Sequence, residues 1–155
     1  MKYFECPAIF RSSLHDDFCV FMGGGITGCP DWQADAVDYL KDVADLALVN
    51  PRRASFDVTN ANMTVEQIAW EHHHLTNADA IMFWFPCETL CPITLFELGV
   101  YAAKGYNIFV GCHPDYARKV DVIEQLKNLR PDVKVHQHLH NMLDDVHERV
   151  KAIFG

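Results

Sequence analysis

The sequence predicts an α/β fold: a doubly wound, five-stranded parallel sheet, flavodoxin- or Rossmann-like, with helices on both faces. Two observations carry this. Apolar strand-like runs alternate with amphipathic helix-like runs along the chain, which is the pattern of strands joined by crossover helices. The segments that follow the strand-like runs are rich in glycine and proline, as loops at strand ends are. At 155 residues, 50% hydrophobic and 22% charged, the chain suits one domain, residues 1–155, with one good core.

The elements follow in order. Tyr3 to Phe10 is apolar and offers a further edge strand. Phe18 to Met22 reads as a strand that ends in Gly23-Gly24-Gly25. Asp31 to Ala44 reads as a helix, with Trp32, Ala36, Val37, Leu40 and Val43 on one face. Leu46 to Val49 is a strand ending at Asn50-Pro51, and a polar loop runs from Arg52 to Asn62. Thr64-Val65-Glu66-Gln67 has the form of a capping box, opening a helix that runs to about Thr76. Ala80 to Phe85 is a buried strand. Pro92 then opens a helix to Lys104, since proline is preorganised for the first helical position, and Gly105 stops it. Asn107 to Gly111 is a strand, Tyr116 to Leu129 a helix, Val133 to His136 a strand and His140 to Phe154 a helix.

A parallel sheet of this kind presents ligands at the carboxyl ends of its strands, where the strand order reverses. Those ends carry Gly23 to Gly25, Asn50-Pro51-Arg52-Arg53, the Pro86 to Cys91 loop, and Gly111-Cys112-His113-Pro114. Glycines let a backbone approach a ligand closely. Gly23 to Gly28 is neither a dinucleotide fingerprint nor a Walker loop, because its spacing differs and no lysine follows. Glu97 lies near the second turn of the Pro92 helix, inside an otherwise apolar stripe. The helix N-terminus favours its charged form, which suits a nucleophile. Glu71 follows Trp70 and forms a polar stripe with Gln67 and His74, a turn before and after, with Ile68 and Leu75 beside it. The bland reading of that stripe is a solvated helix face.

Composition excludes several functions. The net charge is −8, with no basic run, so neither nucleic acid nor an anionic membrane is an expected partner. No apolar stretch approaches the roughly 18–20 residues that span a bilayer, and Met1 to Phe10 lacks a signal-peptide pattern, so a cytoplasmic location is expected. The six cysteines show no C-x-x-C pair and read as free thiols. His72-His73-His74 cannot converge on one ion, because consecutive helical residues point about 100° apart. His136, His138 and His140 have strand spacing but no accompanying carboxylate or thiol, which favours a solvated strand edge over a metal site. Cys87 and Cys91 flank the loop before the Pro92 helix without an adjacent histidine to activate either. No metal or cofactor is expected.

Taken together, Gly24-Gly25-Ile26, Asp31-Trp32-Gln33, Asn50-Pro51-Arg52-Arg53, Glu66-Gln67-x-x-Trp70-Glu71, Ala78-Asp79 before Phe83-Trp84-Phe85-Pro86, Pro92-Ile93 and Glu97-Leu98-Gly99 resemble the nucleoside 2-deoxyribosyltransferase-like family, over residues 18 to 112. The resemblance implies a compact doubly wound sheet. It implies that Glu97, in the E-L-G motif, attacks the anomeric carbon and that Glu71 contacts the base and assists its departure. It also implies substrate contacts from Gly24, Gly25, Ile26, Asp31, Trp32, Asn50, Arg52, Arg53, Asp79, Pro86 and Cys91. The best-studied transferases carry another acid six residues before the nucleophile, where this chain has Cys91. A sister group hydrolyses nucleoside 5′-monophosphates and uses serines and an arginine near the phosphate. Cys91 replaces one such serine, and the first loop offers Thr27 but no arginine, which leaves Arg52 and Arg53 to serve. The implied partners are a small-molecule nucleoside or nucleotide, a nucleobase, and further copies of the chain in a homo-oligomer. The implied reaction is transfer of a 2-deoxyribosyl group between bases through a glycosyl-Glu intermediate. Its rivals are an N-glycosidase that uses water and a non-catalytic nucleotide-binding or sensor protein.

Overall fold

A computed structural model describes residues 1–11 and 16–155. In chain order the elements are β1 (Lys2–Glu5), β2 (Phe18–Gly24), α1 (Trp32–Leu40), β3 (Leu46–Asn50), α2 (Ala61–Asn77), β4 (Ala80–Phe85), α3 (Pro92–Ala103), β5 (Ile108–Cys112), α4 (Lys119–Leu129), β6 (Val135–His136) and α5 (Leu139–Phe154). The strands form one sheet in the order β1-β3-β2-β4-β5-β6, and every neighbouring pair is parallel. The sheet therefore has six strands rather than five. The apolar N-terminal segment supplies the sixth, but only as Lys2–Glu5, paired along the outer side of β3. From β2 the chain steps outward to β3 and then returns to the other side of β2 for β4. The strand order reverses between β2 and β4, and their carboxyl ends define the crevice where such sheets bind ligands.

Both faces of the central strands are buried, as a parallel sheet requires. Phe21, Ile81, Phe83, Phe85 and Val110 point to one side and pack with Trp70, Leu75, Leu98, Tyr101, Val122 and Leu126 of α2, α3 and α4. Val20, Met22, Leu48, Met82 and Trp84 point to the other, against Trp32, Ala36 and Leu40 of α1 and Met142, Leu143, Val146 and Val150 of α5. The winding is thus α2, α3 and α4 on one face and α1 and α5 on the other. Glu71 and Glu97 belong to helices of the same face. Among the described residues, no helix is long and apolar enough to cross a membrane.

Several boundaries differ from the sequence reading for local reasons. The α1 helix ends at Leu40 rather than Ala44, and it starts after Asp31, whose carboxylate accepts the Ala34 N–H at 3.1 Å. The α2 helix begins three residues before the expected Thr64. Asn60 is its N-cap, accepting the Met63 N–H at 3.2 Å, so the Thr64–Gln67 capping box does not form. Thr64 lies inside the helix and turns its hydroxyl back to the Asn60 carbonyl, which leaves Gln67 available to other partners. The α4 helix starts at Lys119, because Tyr116 is held in the preceding turn with its hydroxyl donating to the Leu90 carbonyl at 2.7 Å.

Glycine is required where β2 ends. At Gly24 a Cβ would lie 2.5 Å from both the Trp84 carbonyl oxygen and the Trp32 ring, and φ is +156°. The carbonyl belongs to the paired strand and cannot retreat. Gly24→Ala is expected to destabilise the fold by on the order of 3 kcal/mol, the upper part of the overpacking range. Urea unfolding should show this as a lower midpoint at an unchanged slope.

Candidate functional site

The site is assembled from the loops that leave β2 and β4 and from the helices that cover them. Gly25 donates its N–H to the Trp84 carbonyl at 3.3 Å, continuing the β2–β4 pairing by one residue. A Cβ there would meet Pro86 at 2.7 Å and the Cys91 sulfur at 3.0 Å, so the two loops touch through Gly25, Pro86 and Cys91. Cys91 adopts a left-handed conformation, φ 50° and ψ 55°, directly before Pro92 begins α3. That bend turns the chain from the loop into the helix that carries Glu97. Burial pushes the Cys91 thiol up to about 12, so it is a packing group and not a ready nucleophile.

Glu97 sits on α3 and Glu71 on α2, both half-buried. They are close enough that the charge on Glu71 adds to burial in pushing Glu97 up to about 8. This overturns the expectation that the helix N-terminus keeps Glu97 ionised. Proline occupies the first helical position, Glu97 lies more than a turn in, and desolvation with a like-charged neighbour outweighs the helix dipole. Glu71 is also pushed up by burial, opposed by a hydrogen bond from the Gln67 amide at 3.2 Å. No hydrogen bond holds Glu97 among the described residues. Glu97 therefore holds its proton through neutral pH, and Glu71, which accepts the Gln67 amide, is the more easily ionised of the two.

Gln67 organises this side of the site; the sequence reading had it in a cap, a stripe and a family motif but gave it no role of its own. Its amide nitrogen donates to the Pro51 carbonyl at 2.8 Å as well as to Glu71. Its amide oxygen accepts the Cys6 thiol at 3.1 Å. The signal that could have found it is the i, i+4 spacing to Glu71. Tyr101, one turn beyond Glu97 and buried, was likewise missed; its hydroxyl is pushed up by burial and by the Glu97 charge. His74, the third member of the stripe, is not solvent-facing. Its Nδ1 lies 2.8 Å from the Trp70 carbonyl, and its Nε2 accepts the Phe10 N–H at 3.1 Å, which fixes a neutral ring whose pKa burial lowers.

Arg53 lies buried beside Glu66 and Phe56, and the other predicted contacts divide into three groups. Trp32 and Arg52 hold the first loop. Trp32 Nε1 donates to the Gly25 carbonyl at 2.9 Å. Arg52 donates to the Pro30 and Cys29 carbonyls and to the Gln33 side chain at 3.0 to 3.1 Å, with Asp31 at 3.7 Å. Its guanidinium is thereby committed to the chain itself. Ile26, half-buried, takes the Cys29 thiol on its carbonyl. Asp31 and Asn50 line a cavity of about 420 Å³ beside α1, with Tyr3, Glu5 and Lys41. Asn50 donates to the Tyr3 hydroxyl at 2.9 Å. Neither Glu71 nor Glu97 lines that cavity. Asp79 stands apart from the other predicted contacts. It lies just before β4, about 23 Å from Pro86 at ~3.3 Å per residue, and accepts the Cys19 N–H at 2.8 Å. It ties β2 to β4 at the end opposite the crevice.

Among the described residues, the histidines outside α2 do not converge either. His136 is 6% exposed and pairs with Asp145 at 2.6 Å, so it is a buried anchor and not a solvated edge. His140 pairs with Asp35 and stacks on Tyr39. Among the described residues no three His, Cys, Asp or Glu side chains are grouped to hold a metal ion. All six cysteines are free thiols.

The raised Glu97 carries a stability cost with a definite sign. Between 4.5, its value in the unfolded chain, and about 8, the folded state holds a proton that the unfolded state has lost. Its contribution is therefore fully present below 4.5 and is lost as pH rises toward 8. Glu97→Gln should melt at the same temperature as the parent near pH 4.5 and at a progressively higher one up to about pH 8.5. Equal melting temperatures at both pH values would show that Glu97 is not desolvated.

The profile of the family described as nucleoside 2-deoxyribosyltransferase like matches residues 17–116, a span that holds β2 to β5 and both glutamates. No curated protein matches the chain. The matched span is more than half of the sequence and contains the strand-order reversal with its two loops, and on that ground the chain belongs to the nucleoside 2-deoxyribosyltransferase-like family.

Proposed function

We propose that this protein cleaves the N-glycosidic bond of a 2′-deoxynucleoside or its nucleotide and passes the 2-deoxyribosyl group to a second nucleobase. The observation that carries this reading is the pair of half-buried carboxyls on consecutive helices of one face, near enough that the Glu71 charge adds to burial in raising Glu97. Breaking the bond passes through an oxocarbenium-like state, and retaining glycosidases use two carboxyls about 5–5.5 Å apart for such a step.

In the reactive form the proton sits on Glu71 and Glu97 is ionised. Positive charge developing at the anomeric carbon stabilises the nearer carboxylate, which draws the shared proton across to Glu71. The Glu97 carboxylate bonds to the anomeric carbon as the carbon–nitrogen bond breaks. The departing base keeps that electron pair and takes the proton from Glu71. A nitrogen of the second base then attacks the same carbon, the ester to Glu97 breaks, and Glu71 recovers the proton. Gln67 positions Glu71 throughout by donating to it from a fixed point on the Pro51 carbonyl.

A second copy of the chain belongs to this reading. Val65 and Ile68 on α2 and Ile93 and Phe96 on α3 are exposed apolar side chains within a turn or two of the two glutamates. Their burial by a neighbouring subunit would exclude water from the pair and stabilise a homo-oligomer. Phe96→Glu should shift the protein toward monomer in analytical ultracentrifugation and lower base exchange with it. Unchanged sedimentation would put the apolar patch outside any interface.

Catalysis is tested by base exchange between a deoxynucleoside and a second, labelled base. Glu97→Gln should cost on the order of 5 kcal/mol or more of barrier, several powers of ten in rate. Glu71→Gln should cost about 10²–10⁴-fold, and less with good leaving groups. A slow substrate should leave a deoxyribosyl adduct on the peptide that contains Glu97. Near-normal turnover by Glu97→Gln would refute the nucleophile, and absence of base release from any deoxynucleoside or nucleotide would leave a binding protein. The form with one shared proton is the active one, so kcat/KM should be bell-shaped in pH. Its alkaline limb should fall near pH 8, where the last proton leaves the pair. A profile flat through pH 8 to 9 would contradict this.

A further inference from the structure

Two arginines stand side by side at the end of β3, and they are treated differently by the fold. Arg52 is bonded to two carbonyls and an amide oxygen. Arg53 is more deeply buried, its side chain 9% exposed, and has almost no partners. Its Nη1 lies 3.6 Å from the Glu66 carboxylate, beyond hydrogen-bond length. Its Nε and Nη2 are buried with no hydrogen-bond partner among the described residues. The Phe56 ring covers the guanidinium face, 5.3 Å from its central carbon.

The two orphan atoms share one edge of the guanidinium. Their N–H bonds point in parallel, and this is the side-on fork that grips two oxygens of a carboxylate or phosphate at once. A buried cation with an unmatched fork is costly, and the cost is removed only when an anion arrives. The chain offers acids nearby but points none of them at this edge; Glu66 meets the opposite side. The neighbourhood connects to the two glutamates. Pro51, two residues before Arg53, accepts the Gln67 amide that also holds Glu71. The Cys6 thiol bonded to Gln67 is pushed up to about 11 chiefly by burial, and it also feels the Arg53 charge, which lowers its pKa, and the Glu71 charge, which raises it.

We infer that the Nε/Nη2 edge of Arg53 is a binding fork for a phosphate-type oxyanion, reached when the Phe56 loop yields. Free inorganic phosphate and a phosphate carried by a nucleotide present the same two oxygens to it. That the nucleotide is the substrate rests on the glycosidic reading above; the fork itself does not. A neutral nucleobase edge could accept the two hydrogen bonds, but it would leave the buried charge uncompensated.

The test is equilibrium binding, which needs no turnover. Inorganic phosphate, a 2′-deoxynucleoside 5′-monophosphate and the matching deoxynucleoside are titrated calorimetrically into the unmodified protein, Arg53→Gln and Arg53→Lys. The monophosphate should bind about ten- to hundredfold tighter than the deoxynucleoside, the range expected for a charge-assisted pair of hydrogen bonds. Inorganic phosphate should compete with it and raise the melting temperature. Arg53→Gln should abolish the preference. Arg53→Lys keeps a point charge but not the fork, so it should retain only part of it, and it carries the test if the Gln variant does not fold. Equal affinity for monophosphate and deoxynucleoside in the unmodified protein, or a preference that survives both substitutions, overturns the inference. Base release through Glu97 without any phosphate preference would sink the fork and leave the catalytic reading intact. Phosphate binding through Arg53 without base release from any substrate would do the reverse.

Discussion

The carbonyl oxygen of Gly25 accepts two side-chain hydrogen bonds, from the Trp32 indole and from the buried Gln33 amide, at 2.9 and 3.1 Å. Much of this end of the molecule hangs on that oxygen. Gln33 in turn accepts from Arg52, which ties the loop after β3 to the loop after β2. On its other side Gly25 packs against Pro86 and Cys91, the loop after β4. Three loops from three parallel strands are thus fixed to one residue that has no side chain. The constraint is spatial, since any Cβ at Gly25 would separate the loops that it now joins. Because α3 springs from Cys91, the position of Glu97 follows from the same contact.

The electrostatics of the glutamate pair follow from this rigidity. A mobile carboxylate would turn to water and keep an ordinary pKa. Glu97 is held on a helix whose buried side, Thr94, Leu98 and Tyr101, is locked into the sheet. Glu71 is tethered by Gln67, which is itself anchored to the backbone at Pro51. Neither acid can retreat far, so desolvation and mutual repulsion fall on the pair, and a proton is retained near neutrality. A group poised in this way is costly to stability and useful to acid–base chemistry. The Arg53 edge has the same character: a polar group kept buried and unmatched by a frame that holds it in place.

The parallel strands were legible because their residues allow little else. Phe18 to Met22, Leu46 to Val49 and Ala80 to Phe85 are continuous apolar runs, and each is a buried strand. The start of α3 was legible because Pro92 has few other uses. Caps were less so. Thr64 to Gln67 has the letters of a capping box, but Asn60 caps equally well and lies earlier, and α2 extends to reach it. Polar stripes were least legible. Gln67, Glu71 and His74 share the spacing of a solvated face, yet His74 is 2% exposed, because the α2 face that packs inward is the polar one at this point. Asp79 was grouped with the candidate residues by its motif neighbours, and it stands beside the first residue of β4, at the other end of that strand from Pro86.

The sequence by itself determined the alternation of strands and helices and the loops that gather at the crevice, and its resemblance to the family pointed to Glu71 and Glu97. Those properties are local: burial of apolar runs, the fixed φ of proline, the spacing of motifs. Only the tertiary structure decided that the acids share one face, that Glu97 is the one pushed toward about 8, and which arginine is committed and which keeps an unmatched edge. Protonation depends on desolvation and on charges brought near from other helices. Whether a guanidinium is satisfied depends on carbonyls more than twenty residues away in the chain, such as those of Cys29 and Pro30 for Arg52. Neither quantity exists until the chain has packed.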